Sequence, residues 1–103
     1  MKRRHKFNAV AVENDGIRFD SKMEARYYDI LKAKQKAGKV AFFLRQVPLH
    51  ISAKTRLVID FQVFNEEGTV DFIDVKGQLT EAYKIKKREV ELKYPIKIKE
   101  VKA

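Results

Sequence analysis

The chain has no cysteine and no tryptophan, and only four glycines and two prolines in 103 residues. Without cysteine there is no disulfide framework and no thiolate zinc site. So few Gly and Pro residues argue against a loop-rich or low-complexity chain. No apolar run approaches the length needed to span a bilayer. The opening Met1-Lys-Arg-Arg-His-Lys-Phe is basic but is followed by no apolar stretch, so it does not read as a secretory signal. The expectation is a cytoplasmic protein with no membrane association. His5 and His50 stand alone, without the spacing of a histidine metal site, and there is no glycine-rich phosphate loop.

What is present is charge. Hydrophobic residues make up 45% and charged residues 36%, enough for one small core beneath a highly charged surface. The net charge is +9: residues 1–12 carry +4, residues 13–76 only +1, and residues 77–103 again +4. A basic excess gathered at both ends makes a nucleic acid the expected partner. A single domain over residues 1–103 follows, with residues 1–6, including Lys2, Arg3 and Arg4, as a flexible basic arm.

Residues 7–12 and 17–19 flank Asn14-Asp15-Gly16, a hairpin signal. Ser21-Lys-Met-Glu24 has the capping-box pattern, so a helix opens there and runs to about Ala37, stopped by Gly38. Met23, Tyr27, Ile30, Leu31, Ala33 and Ala37 are its expected apolar face. Val40–Leu44 and Val47–Ile51 read as short strands, with Pro48 marking the second as an edge. Arg56–Phe64 reads as a central strand, Thr69–Lys76 as the next, residues 80–93 as a basic helix and Ile96–Val101 as a last strand. Ala82, Tyr83, Val90 and Tyr94 are the expected contacts of that helix, and Phe42, Phe43, Phe61 and Phe72 are expected in the core. The fold class is therefore α/β or α+β, a central mixed sheet flanked by two helices and preceded by a β-hairpin.

Asp60 lies in the most apolar strand, where a carboxylate is costly unless it is paired or holds a metal. Asp74 and Lys76, two apart on a strand, point to one face. If Glu66-Glu67-Gly68 is a three-residue loop with Gly68 at positive φ, Asn65 pairs with Thr69. Equal steps back from Asn65 and on from Thr69 then set Asp60 opposite Asp74, with Cβ atoms roughly 5 Å apart. Two adjacent carboxylates suit a hard divalent cation, and a nearby lysine suits a phosphate or attacking water. The alternatives are an Asp74–Lys76 ion pair and an Asp60 satisfied by backbone donors.

Ile59-Asp60 and Asp74-Val75-Lys76 resemble the motif of the PD-(D/E)XK nuclease superfamily, with Ile59 where a proline often stands. The run from Asp15 to Tyr28, the Asp74-Val-Lys-Gly turn and Tyr83–Lys87 resemble small phage and prophage endonuclease-like (Holliday junction resolvase-like) members of that superfamily. The resemblance spans roughly residues 7–101. It implies a restriction-endonuclease-like α-β-β-β-α-β core and Mg²⁺- or Mn²⁺-dependent cleavage of DNA. Asp60, Asp74 and the Val75 carbonyl would hold the metal, and Lys76 would orient water and phosphate. Glu24 takes the acidic position on the first helix, though a helix cap competes for it, and Gln46 can line the site. On the basic helix Lys84, Lys87 and Arg88 are expected to hold the DNA backbone. Little chain is left to read sequence, so branched or junction DNA, as in recombination, replication or packaging, is the expected substrate. Two symmetric cuts would require a homodimer. A non-catalytic DNA-binding module that kept the fold, and a nuclease directed at RNA, are the rival readings.

Overall fold

Ser21 opens the first helix as its sequence requires: its hydroxyl accepts the Glu24 N–H at 3.1 Å. The computed structural model describes residues 11–102. Over these residues two short strands, β1 (Val12–Asn14) and β2 (Ile17–Phe19), form a hairpin closed by Asp15 and Gly16, both at positive φ. Helix α1 (Lys22–Lys36) follows, then β3 (Val40–His50), β4 (Arg56–Asn65), β5 (Val70–Val75), helix α2 (Glu81–Lys93) and β6 (Ile98–Val101). The sheet order is β3-β4-β5-β6, antiparallel except for the parallel β5–β6 pair that α2 connects. The fold is α+β, with a mixed sheet, two helices and a leading hairpin. The expected strand over residues 7–10 and the basic arm over residues 1–6 lie outside the described residues.

The β4–β5 turn fixes the register. Gly68 has φ +103, Gly68 N–H donates to Asn65 O at 3.0 Å and Asn65 N–H to Thr69 O at 2.9 Å. The ladder then pairs Phe64 with Val70 and Phe61 with Ile73, so the next step sets Asp60 beside Asp74. This is the three-residue loop expected from the sequence.

Two cores sit on either side of the sheet. Under α1, Phe19, Tyr28, Leu31, Phe61, Val63 and Ile73 pack together; under α2, Leu57, Ile59, Tyr83, Val90 and Ile98 do. Along β4, Ile59 and Phe61 have the same parity yet enter different cores. The same change occurs on β3, where Phe43 packs under α1 but Val47 and Leu49 under α2. Gln46, between them, has φ +52. The pairs Arg45–Phe61 and Val47–Ile59 flank Gln46 and Asp60, so both strands cross from one layer to the other at these two residues. The expected pair of strands on either side of residues 45–46 is therefore one long edge strand with a kink, and Pro48 lies on that edge.

Several side chains depart from the sequence reading. An extra residue at Ala41 puts Val40 and Phe42 on opposite faces, so Val40 is buried while Phe42 is 47% exposed and stacks on Phe64 at 4.3 Å. The buried face of α1 is Glu24, Ala25, Tyr28 and Leu31, and Ile30, Ala33 and Ala37 face water. A glutamate at the head of that stripe breaks its apolar pattern. On α2, Tyr83 and Val90 are buried and Tyr94 partly so, but Ala82 is exposed.

Candidate active site

Beyond Phe61–Ile73 the β4–β5 ladder ends and side chains take over the backbone bonding. Asp60 N–H donates to Asp74 Oδ1 at 2.9 Å, and Val75 N–H donates to Asp60 Oδ2 at 2.8 Å. Each acid thus uses one oxygen to cap the other's strand and leaves its second oxygen available. Asp74 is fully buried and its Oδ2 has no hydrogen-bond partner. Asp60 Oδ1 has only a 3.4 Å contact with Gln46 Nε2.

Glu24 reaches the same place from α1. Its carboxylate does not complete the capping box, which is served by its backbone N–H alone. Instead Oε2 accepts from Gln46 Nε2 at 2.9 Å and lies 3.8 Å from Arg45 Nη2. The kink at Gln46 aims its amide between Glu24 and Asp60. A residue expected to line the site is therefore the bridge between two acids, and the positive φ that makes it so is invisible in sequence spacing.

The electrostatics are those of an acid cluster short of positive charge. Burial, reinforced by the charge of Asp60, pushes Glu24 up to about 7, with Arg45 opposing. Burial and then Asp60 push Asp74 up to about 6, with Lys76 opposing. Asp60 is also raised, chiefly by burial, against the Val75 N–H and the Lys76 charge. Among the described residues no three His, Cys, Asp or Glu side chains are already drawn together as a ligand set. The donor chemistry nevertheless fits a hard cation: carboxylate oxygens, one of them buried and unpartnered, on groups that are costly to ionise without one.

Lys76 follows Asp74 on the same face but forms no ion pair with it. Its Nζ lies 4.6 Å from the centre of the Tyr83 ring, within cation–π range. The Tyr83 hydroxyl lies beside Asp74, but its one proton is given to Glu100 Oε2 at 3.1 Å, which leaves Asp74 Oδ2 without a donor. Burial and the charges of Asp74 and Glu100 keep the phenol protonated. Glu100 stands opposite Asp74 in the parallel ladder and accepts from Lys87 Nζ at 2.6 Å. Lys87 is thereby linked to the site through Glu100 and Tyr83. Lys84 is exposed and 3.4 Å from Glu81, and Arg88 is exposed to solvent. Val75 sends its side chain into the core and its N–H to Asp60.

Asp60, Asp74 and Lys76, which spacing puts together, thus meet Glu24 and Gln46, which the resemblance adds. Sequence spacing misses Arg45, Tyr83 and Glu100 as parts of the surroundings. Tyr83 reads as a core aromatic, and its placement depends on the crossover helix packing on β4 and on Ile98 of β6. Among the described residues no helix is long and apolar enough to cross a membrane.

A family model described as a protein of unknown function (DUF1064) matches residues 4–102, and the chain belongs to that family. No curated protein and no solved structure matches it.

Proposed function

We propose that this member of the DUF1064 family is a Mg²⁺- or Mn²⁺-dependent nuclease that hydrolyses phosphodiester bonds in DNA, preferring branched or junction structures. The observation that carries the reading is the Asp60–Asp74 pair at the end of the β4–β5 ladder, each acid keeping one oxygen free of a close hydrogen bond. Lys76 and Glu24 join it from two different layers. The α1-β3-β4-β5-α2-β6 order and the motif positions support membership of the PD-(D/E)XK superfamily.

Asp60 and Asp74, with Glu24 and the Val75 carbonyl, would hold the cation, which would supply a lowered pKa to a bound water and offset charge on the phosphate oxygens. Asp60 and Asp74 fix its place because each is held by the other's strand. The Lys76 ammonium puts a positive charge where the phosphoryl oxygens gain negative charge. Glu24, ionised in part near neutral pH, would accept a proton from the attacking water. The water oxygen bonds to phosphorus as the leaving P–O bond breaks, and the leaving oxygen takes a proton from solvent water.

Lys87 holds backbone phosphates beside the site, with Lys84 and Arg88 farther along the exposed helix face. Contacts of this kind to backbone phosphates follow the shape of DNA and not its base sequence. Paired symmetric cuts would come from a homodimer, and the setting would be the cytoplasm.

Branched, duplex and single-stranded DNA, and the matching RNAs, should be incubated with and without Mg²⁺ or Mn²⁺. The expected result is metal-dependent cutting, strongest on branched DNA and lost in Lys76→Ala. DNA binding without cutting on any substrate would establish the rival, a binding module on a nuclease fold.

A further inference from the structure

Lys76 Nζ is near three carboxylates and touches none. Its charge is felt by Asp60, Asp74 and Glu100. Yet among the described residues it has no carboxylate oxygen within 4.0 Å. A lysine with four rotatable bonds next to anionic groups would ordinarily fold onto one of them. What it meets instead is the face of the Tyr83 ring, at 4.6 Å. That ring is held firmly. It is buried among Ile59, Val90 and Ile98, and its hydroxyl is tied to Glu100, itself tied to Lys87.

We infer that Tyr83 is a positioning residue, a platform that holds the Lys76 ammonium beside the acid pair but off it. The inference rests on the nuclease reading for its consequence, but not for its geometry. A lysine lying on Asp74 or Asp60 would occupy an oxygen that the cation needs and would be lost to the phosphate. A lysine released to solvent would lose the orientation that makes its charge useful. The aromatic face offers an attraction of the right size between these outcomes, enough to bias the rotamer yet weak enough to yield to a phosphate. Glu100 sets the ring's tilt through the hydroxyl, so it acts one step further out. Lys87 completes the line.

The geometry can be read without catalysis. In the proton NMR spectrum of the metal-free protein, the Lys76 ε-methylene should be shifted upfield by the ring. Tyr83→Phe, which keeps the ring, should retain that shift, and Tyr83→Leu should return it to the position of an exposed lysine. A Lys76 resonance at the exposed position in the unsubstituted protein overturns the inference with no variant needed. So does an upfield shift that survives in folded Tyr83→Leu. If Tyr83→Leu does not fold, Tyr83→Met supplies the ringless case.

With whichever substrate the unsubstituted protein cuts, Tyr83→Leu should lower kcat about tenfold while KM changes by less than a factor of two. Tyr83→Phe should restore most of it. An unchanged kcat in folded Tyr83→Leu contradicts the positioning role. If the unsubstituted protein cuts nothing, the nuclease reading fails, while the NMR result still decides whether Tyr83 holds Lys76.

Discussion

Asp74→Asn should abolish cleavage, by on the order of 10³-fold or more, while making the metal-free protein more stable. The two effects have one cause. Asparagine keeps an oxygen to accept the Asp60 N–H, which donates to Asp74 at 2.9 Å, so the strand ends stay capped. Its amide can donate to the Tyr83 hydroxyl oxygen in place of the unpartnered Oδ2. What is removed is a negative charge in a fully buried position, beside a second acid, where burial and Asp60 push the carboxyl up to about 6. At pH 8 that charge costs the folded state about 3 kcal/mol, so its removal should raise Tm by on the order of 10 °C. Paired activity assays and thermal melts check this. A variant that keeps its activity, or that melts well below the unsubstituted protein, would mean Asp74 is held for the fold and not for a cation.

The metal-free protein should lose stability as the pH rises from about 4 to 7, the reverse of the usual behaviour of carboxylates. Glu24 at about 7 and Asp74 at about 6 keep protons in the folded state that the unfolded chain has already released. Where the folded state binds more protons, stability falls with rising pH. The stabilisation is full below the unfolded pKa values and is gone once the pH passes those of the folded state. A divalent cation binds the ionised form, so Mg²⁺ or Mn²⁺ should restore stability most at the alkaline end, by about 2.7 kcal/mol at a hundred times its Kd. Denaturant titrations across the window test both parts. A Glu24→Gln, Asp74→Asn double variant should show a flattened slope, which separates these two groups from the general repulsion of a +9 chain. A slope unchanged by the double substitution, or no cation effect at pH 8, would contradict the account.

How far the site is legible in the sequence depends on how local its causes are. The Asp60–Asp74 register follows from one loop: Gly68 allows the positive φ, the loop length follows, and the pairing propagates along two regular strands. The α1 start is equally local, since Ser21 and Glu24 are one turn apart. The destination of the Glu24 carboxylate is not local. It is set by Gln46, whose left-handed backbone turns its amide toward both acids. Nothing about a glutamine in an apolar strand announces that conformation. The exposure of Phe42 fails for a related reason, because one extra residue at Ala41 reverses the alternation. Tyr83 and Glu100 belong to the parallel crossover, where contacts are made between elements far apart in sequence, and spacing carries no trace of them. The motif is thus readable from the chain, and its supporting shell only from the fold.

The claim that Asp60 and Asp74 hold one cation is tested most directly by Mn²⁺ binding, measured by calorimetry on the unsubstituted protein and on Asp60→Asn and Asp74→Asn. The account predicts saturable binding that each substitution weakens by at least tenfold while the variants stay folded. Binding that is absent in the unsubstituted protein, or that persists undiminished in both variants, would contradict it.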